Sequence, residues 1–373
     1  YALTANTTGN YNTAVGSYAL QANTTADSNT AVGYQASYSN TTGANNAAFG
    51  KTALYTNSTG SRNTVVGSLA MRDGTSCADN VAIGYAALLK TVSNESVAVG
   101  SGAGQSNTTG NILAIGSGAL TANTTGTYNV GIGYAALATN TTASYNTAVG
   151  YQAGYNTTTG GMTAFGYQAG YGMTTGSGTF IGNTAGRNVT GSYNTAVGIE
   201  AGRDTGTGQW NTSVGHAALR GMSGGGNNVA IGGSAMQNVT TAVTSNIAMG
   251  YAALFQTTGS NNVGIGESAL YSNTSGAQNN AVGYAALTGN TTGSDNTAIG
   301  HLALYTNSTG GLNVAVGRGA LQANTTANNN TAVGYLAGTA NTTGTQNAFF
   351  GTNAGYTVTT GQDNILVGYY AGR

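Results

Sequence analysis

Short apolar segments recur along the chain, each three residues long and closed by a glycine, as in Thr13-Ala14-Val15-Gly16, Val81-Ala82-Ile83-Gly84 and Thr297-Ala298-Ile299-Gly300. Aligned on that glycine, 22 copies run from Gly16 to Gly368, about 16.8 residues apart on average. A period of this kind points to a solenoid, because one such unit cannot bury its apolar face alone and must stack on the next. The triplets are too short for helices and suit short strands.

The residue before the glycine is Val, Ile, Phe or Met in every copy, among them Val15, Val32, Ile83, Val149, Ile231 and Val316. Two places earlier the position is mostly Thr, Val or Ile, as at Thr13, Val81, Val130 and Ile247. Strand alternation puts both on one face. The expectation is that this face points into a core, leaving Ala14, Ala82 and Ala230 between them on an outer face that another surface can approach closely. Three places after the glycine stands Ala in all 22 copies, including Ala19, Ala36, Ala153 and Ala303, which reads as a tight approach between layers. The next position is Leu or Met in thirteen copies, Gly in eight and Ser at Ser37.

Asn stands four places before the glycine in 18 of the 22 copies, for example Asn12, Asn29, Asn146 and Asn228. Stacked copies of such a position form a side-chain ladder, and Asn suits a corner because it tolerates left-handed backbone and bonds its own turn. The NTTG-like stretches at 40–43, 123–126 and 341–344 read as a second corner, with Gly supplying positive φ. Each repeat is thus expected to run strand, glycine bend, second short strand, turn. The fold expected is all-β: a parallel β-solenoid of about 22 coils of 16–18 residues, one continuous array over residues 1–373. At ~4.8 Å per coil it would extend about 100 Å. Tyr1-Ala2-Leu3 repeats the phase of Tyr18-Ala19-Leu20, and Tyr370-Ala371-Gly372 ends on it, as if the segment were cut from a longer array.

Composition narrows the function classes. Charged residues make up 5 % of the chain, against about a quarter in ordinary domains. With 9 basic and 9 acidic residues spread singly there is no basic patch, so nucleic acid is not an expected partner. No apolar run approaches the ~18 residues of a membrane span, so no membrane insertion by this segment is expected. Cys77 is the sole cysteine and is expected to be an isolated thiol at an irregular coil. His216 and His301 share one column five coils apart, roughly 24 Å, and cannot form a dyad. The carboxylates are scattered and the calcium-binding β-roll repeat is absent. No catalytic residue, metal site or cofactor is therefore expected.

Nine tyrosines directly follow the marking glycine: Tyr34, Tyr85, Tyr134, Tyr151, Tyr167, Tyr251, Tyr284, Tyr335 and Tyr369. The same column takes Lys51, Glu267 and Arg318, so it should be exposed. It reads either as a sugar- or surface-binding stripe or as cross-coil stacking that stiffens the array. Glycosylation acceptors such as Asn23-Thr24-Thr25 and Asn307-Ser308-Thr309 coincide with the turn signal, which accounts for them. Ice binding is a third reading, weakened because the most regular Thr column alternates with Val and Ile.

Variants such as NNVAIG (227–232), DNVAIG (79–84) and LNVAVG (312–317), with a small residue fixed three places beyond the glycine, resemble the head repeat of YadA-like trimeric autotransporter adhesins. The resemblance covers essentially the whole chain. It implies a left-handed parallel β-roll, three chains around a threefold axis, and an extracellular role in attachment to host cells or matrix. Similar repeats occur in bacteriophage tail fibres. The partners so implied are further copies of the chain and a host cell-surface glycan or matrix protein. The rival expectation is a purely structural filament or spacer.

Overall fold

The computed structural model describes residues 1–372, and the described residues contain strands and turns but no helix. The chain divides into two compact units, Tyr1–Thr184 and Ala185–Arg373. Each is a parallel β-solenoid with a strand of three or four residues per coil on one sheet face, and in the second unit Gly225–Gly226 and Val243–Thr244 add a separate two-residue parallel pair. Pairing is parallel and in register, so like stacks on like. In the first unit Thr13, Ala14 and Val15 pair with Thr30, Ala31 and Val32, and in the second Val314, Ala315 and Val316 pair with Thr331, Ala332 and Val333.

The segment after the glycine is not the second strand expected from the repeat. It is a run of tight turns in which alternate residues are left-handed, as at Tyr18 (φ 63°), Leu20 (φ 48°), Gln35 (φ 56°) and Leu54 (φ 53°). Left-handed backbone costs a non-glycine residue about 1–2 kcal/mol. Coil-to-coil hydrogen bonds offset that cost, because the Gln35 N–H donates to Ser17 O at 2.9 Å and the Leu54 N–H to Ala70 O at 3.0 Å. The bend glycine cannot be replaced. Gly33 has φ 138°, and a Cβ on it would stand 2.5 Å from the carbonyl oxygen of Gly50 in the next coil.

The two faces of the strand are the reverse of the sequence expectation. The central alanines are the core: Ala31, Ala82, Ala148, Ala230 and Ala315 have no exposed surface. The large residues point outward, with Val15 at 56 % and Ile83 at 38 % exposure and Val32, Val149, Ile231 and Val316 half-buried. The reason is the thinness of the coil. The space between strand and turn run is already filled by the strand alanine, by the alanine three places past the glycine (Ala19, Ala36, Ala153, Ala303) and by the following Leu or Met, all fully buried. A second large side chain per coil would overpack it.

This packing also explains why the Leu position alternates with Gly. Gly338 and Gly355 flank the ring of Phe349, which replaces the usual strand alanine, and Gly170 faces Phe180 in the same way. Gly104 and Gly154 instead make room for Ile112 and Met162, which stand where most coils carry the corner Asn. These coils are thus filled from one side or the other.

Candidate functional site

The corners are built from buried asparagines. In the column four places before the glycine, each side-chain carbonyl accepts the backbone N–H of its counterpart one coil on. Asn29 N–H reaches Asn12 Oδ1 at 2.9 Å, Met162 N–H reaches Asn146 Oδ1 at 2.9 Å, and Asn246 N–H reaches Asn228 Oδ1 at 3.0 Å. The ladder is as expected, but the left-handed residue is the one before the Asn, such as Tyr11, Ser28 and Asn45. The NTTG corner holds a second ladder that sequence reading took only for a turn. Asn40 Nδ2 donates to Asn23 Oδ1 at 3.1 Å and to Gly43 O at 2.9 Å. The glycines of this corner, Gly43 and Gly126, do not supply positive φ. They are needed for close approach: a Cβ on Gly43 would meet Asn40 Oδ1 at 2.5 Å and the carbonyl of Gly60. Asn23 and Asn307 of the glycosylation acceptors are fully buried in this ladder, so their amides are engaged.

These ladders leave two kinds of surface. The first is the strand face, where two columns of 22 residues carry no charge although the chain has 18 charged residues to place. Its outer column is an unbroken apolar line, including Phe49 (41 % exposed) and Phe165 (40 %) in the first unit and Ile299 (43 %) in the second. The second surface is aromatic. Tyr34, Tyr85, Tyr134, Tyr151, Tyr167, Tyr251, Tyr284, Tyr335 and Tyr369 are all exposed, as the sequence predicts.

The tyrosines do not form one continuous stack. Tyr134, Tyr151 and Tyr167 do, with centroids 5.2 and 5.3 Å apart. Tyr284 stacks on His301 at 5.2 Å, Tyr335 lies under the Arg318 guanidinium, and Tyr34 meets Tyr18 edge-on. A second aromatic column stands five places past the glycine and was not recognised from sequence. It contains the stacked pairs Tyr38–Tyr55 (5.1 Å), Tyr155–Tyr171 (5.2 Å) and Phe255–Tyr271 (5.0 Å). Its signal was present but interrupted by Arg72, Gln105 and Thr121 at the same phase.

Two open grooves lie on the N-terminal side of such pairs. One, of about 210 Å³, runs between Tyr134 and Tyr155. The other, of about 300 Å³, lies beside Phe255 in the second unit and is lined by Asp204 and Arg220. Near it Glu200 holds both Arg203 (2.6 Å) and Arg220 (2.7 Å). Elsewhere Arg72 pairs with its neighbour Asp73, and Arg62 pairs with Asp79 one coil on, where hydrogen bonding to Arg62 holds the Asp79 carboxyl below its usual range. Cys77 is buried, donates to Thr91 O at 3.1 Å, and its thiol is pushed up by that burial.

Among the described residues no three His, Cys, Asp or Glu side chains come together as a metal site. No helix among them is long and apolar enough to cross a membrane. No family model matches the chain, and no curated protein matches it. The surface offers an uncharged strand face with one continuous apolar column, and columns of exposed rings, on a hydrogen-bonded scaffold.

Proposed function

We propose that this chain is a non-enzymatic segment of an extracellular attachment fibre, of the bacterial cell surface or a virion tail, that works as assembled copies of itself. The observation that supports this reading best is the uncharged strand face, which carries an outward apolar residue before the glycine in every coil. Contiguous apolar surface of this extent marks an interaction site. A second array with the same coil spacing complements it coil by coil, so the fitting occupant is another copy of the chain, three around an axis by the resemblance to adhesin heads. The tyrosine columns then face outward and attach to host-cell glycans or matrix protein by many weak contacts whose avidity adds along the array.

Light scattering on the purified chain tests the assembly, with a concentration-independent mass near three times 36.8 kDa expected. Retention of that assembly on host cells or matrix tests attachment. A chain that stays single and binds no surface would overturn the reading. The stacking of Tyr134, Tyr151 and Tyr167 on one another also favours a second reading, a stiff spacer with recognition carried elsewhere. Assembly without retention on any surface would select it.

A further inference from the structure

We propose that the groove between Tyr134 and Tyr155 is a slot for one neutral pyranose ring, occupying the place of a ring absent from the second aromatic column. The inference rests on the attachment reading and names its ligand chemistry and location. Tyr155 has one face covered by Tyr171, nearly parallel at 8° and 5.2 Å. On its other side the column continues with Ala138 and then Thr121, neither of which carries a ring. Coils stack about 4.8 Å apart, so replacing one ring by a methyl group leaves a gap one ring thick with the Tyr155 face open to it. The gap is the groove of about 210 Å³, which Ala138 and Thr121 line together with Tyr134 of the neighbouring column.

The polar groups fit a sugar. Ser117, Thr121 and Gln152 line the groove and offer two hydroxyls and an amide. The Gln152 amide is held in place by Gln168, whose Nε2 donates to Gln152 Oε1 at 2.8 Å, and this leaves the Gln152 NH₂ to donate to a ligand. Apolar walls with a few placed hydrogen-bonding groups are the usual composition of a small-ligand site. A pyranose presents an apolar C–H face to a ring and hydroxyls at its rim, which matches this arrangement. No charged residue lines the groove, so the ligand is a neutral sugar. The groove beside Phe255 differs here, because Asp204 and Arg220 line it.

The test is saturation-transfer NMR on the full chain with methyl glucoside, methyl galactoside, methyl mannoside and N-acetylglucosamine. Each is used at about 5 mM, suited to weak single-ring binding, beside N-acetyltyrosinamide as an aromatic competitor. Transfer to at least one sugar is expected, reduced about tenfold by Tyr155→Ala and by Ala138→Tyr and unchanged by Tyr11→Ala, which removes an exposed ring outside both aromatic columns. Ala138→Tyr fills the gap with a residue this column already accepts at Tyr38, Tyr55 and Tyr171, so it keeps the fold. Absence of transfer from every sugar, undiminished transfer in Ala138→Tyr, equal loss in Tyr11→Ala, or preference for the tyrosine amide would each overturn the proposal. Sugar binding at the slot by a chain that is not retained on any cell would leave the slot standing and overturn the attachment reading.

Discussion

At the scale of the residue, this fold is governed by how little space a coil encloses. Phe349 is tolerated in the strand only because Gly338 in the preceding coil and Gly355 in its own carry no side chain toward it. Eight coils use the opposite arrangement, Ala in the strand and Leu in the turn, as with Ala315 and Leu321. Gly338→Leu alone should overpack the core and cost about 1–3 kcal/mol, and Phe349→Ala alone should leave a cavity worth about 3–5 kcal/mol. Leu is already left-handed at this position elsewhere, at φ 50° in Leu321, so backbone strain adds little. The double variant should therefore lose less than the sum of the two by about 2 kcal/mol, measured by denaturant unfolding in a double-mutant cycle. Strict additivity would show that the two positions do not share one space.

At the scale of the element, what holds coils in register is the asparagine ladder as much as the three-residue strand. Asn63 accepts the backbone N–H of Asn80 at 3.1 Å and donates to Cys77 O at 2.6 Å, all in a buried corner. Asn63→Ala strips a buried N–H and a buried carbonyl of their partners, at about 1–3 kcal/mol for each group. Asn63→Ser should recover part of this. Ser96 stands at the same point of its coil, donates to Gly110 O at 3.1 Å and accepts the Ile112 N–H at 3.4 Å. Thermal unfolding of both variants checks the order, and equal loss in the two would contradict it. Cys77 reports on the same corner. Its thiol is fully buried and its pKa raised, so a thiol reagent at pH 8 should react only as fast as these coils open, and faster in Asn63→Ala. Because the folded thiol ionises less readily than the unfolded one, its contribution to stability is complete below the unfolded pKa and is lost as pH rises through the folded value.

The same element shows what was legible in advance. Period, register, the alanine column three past the glycine and the first Asn ladder could all be read from spacing, because stacked coils force like onto like. The direction of the strand could not. Alternation separates Val15 from Ala14 but does not say which lies inside, and the greater hydrophobicity of Val, Ile and Phe suggested the wrong side. The usable signal was tolerance of size: the column of Val15 accepts Val, Ile, Phe and Met freely, whereas Phe349 in the column of Ala14 is matched by glycines elsewhere. The second strand was misread for a related reason. The backbone N–H groups of left-handed Leu20 and Leu54 find their partners in the neighbouring coil, and no local propensity signals them.

At the scale of the whole molecule, the reversed strand turns a stability question into one of assembly. An outward column of Val, Ile, Phe and Met contributes little to the single chain, since a good part of each side chain stays in water. Charge at one of these positions should then be nearly neutral for folding. Covered by another copy, the same charge has no partner among 44 uncharged strand-face positions and would be buried alone, which is costly. Ile83→Lys with Ile299→Lys, one in each unit, should therefore leave the far-ultraviolet circular dichroism unchanged while the mass in solution falls toward the 36.8 kDa of one chain. Tyr85→Lys, two residues from Ile83 but past the bend in the exposed column that already carries Lys51, should leave the mass as it was. Loss of assembly in all variants alike would mean that general charge repulsion, not a covered strand face, had been measured. No change in any would place the contact between copies on another surface, and the apolar column would then require a different partner.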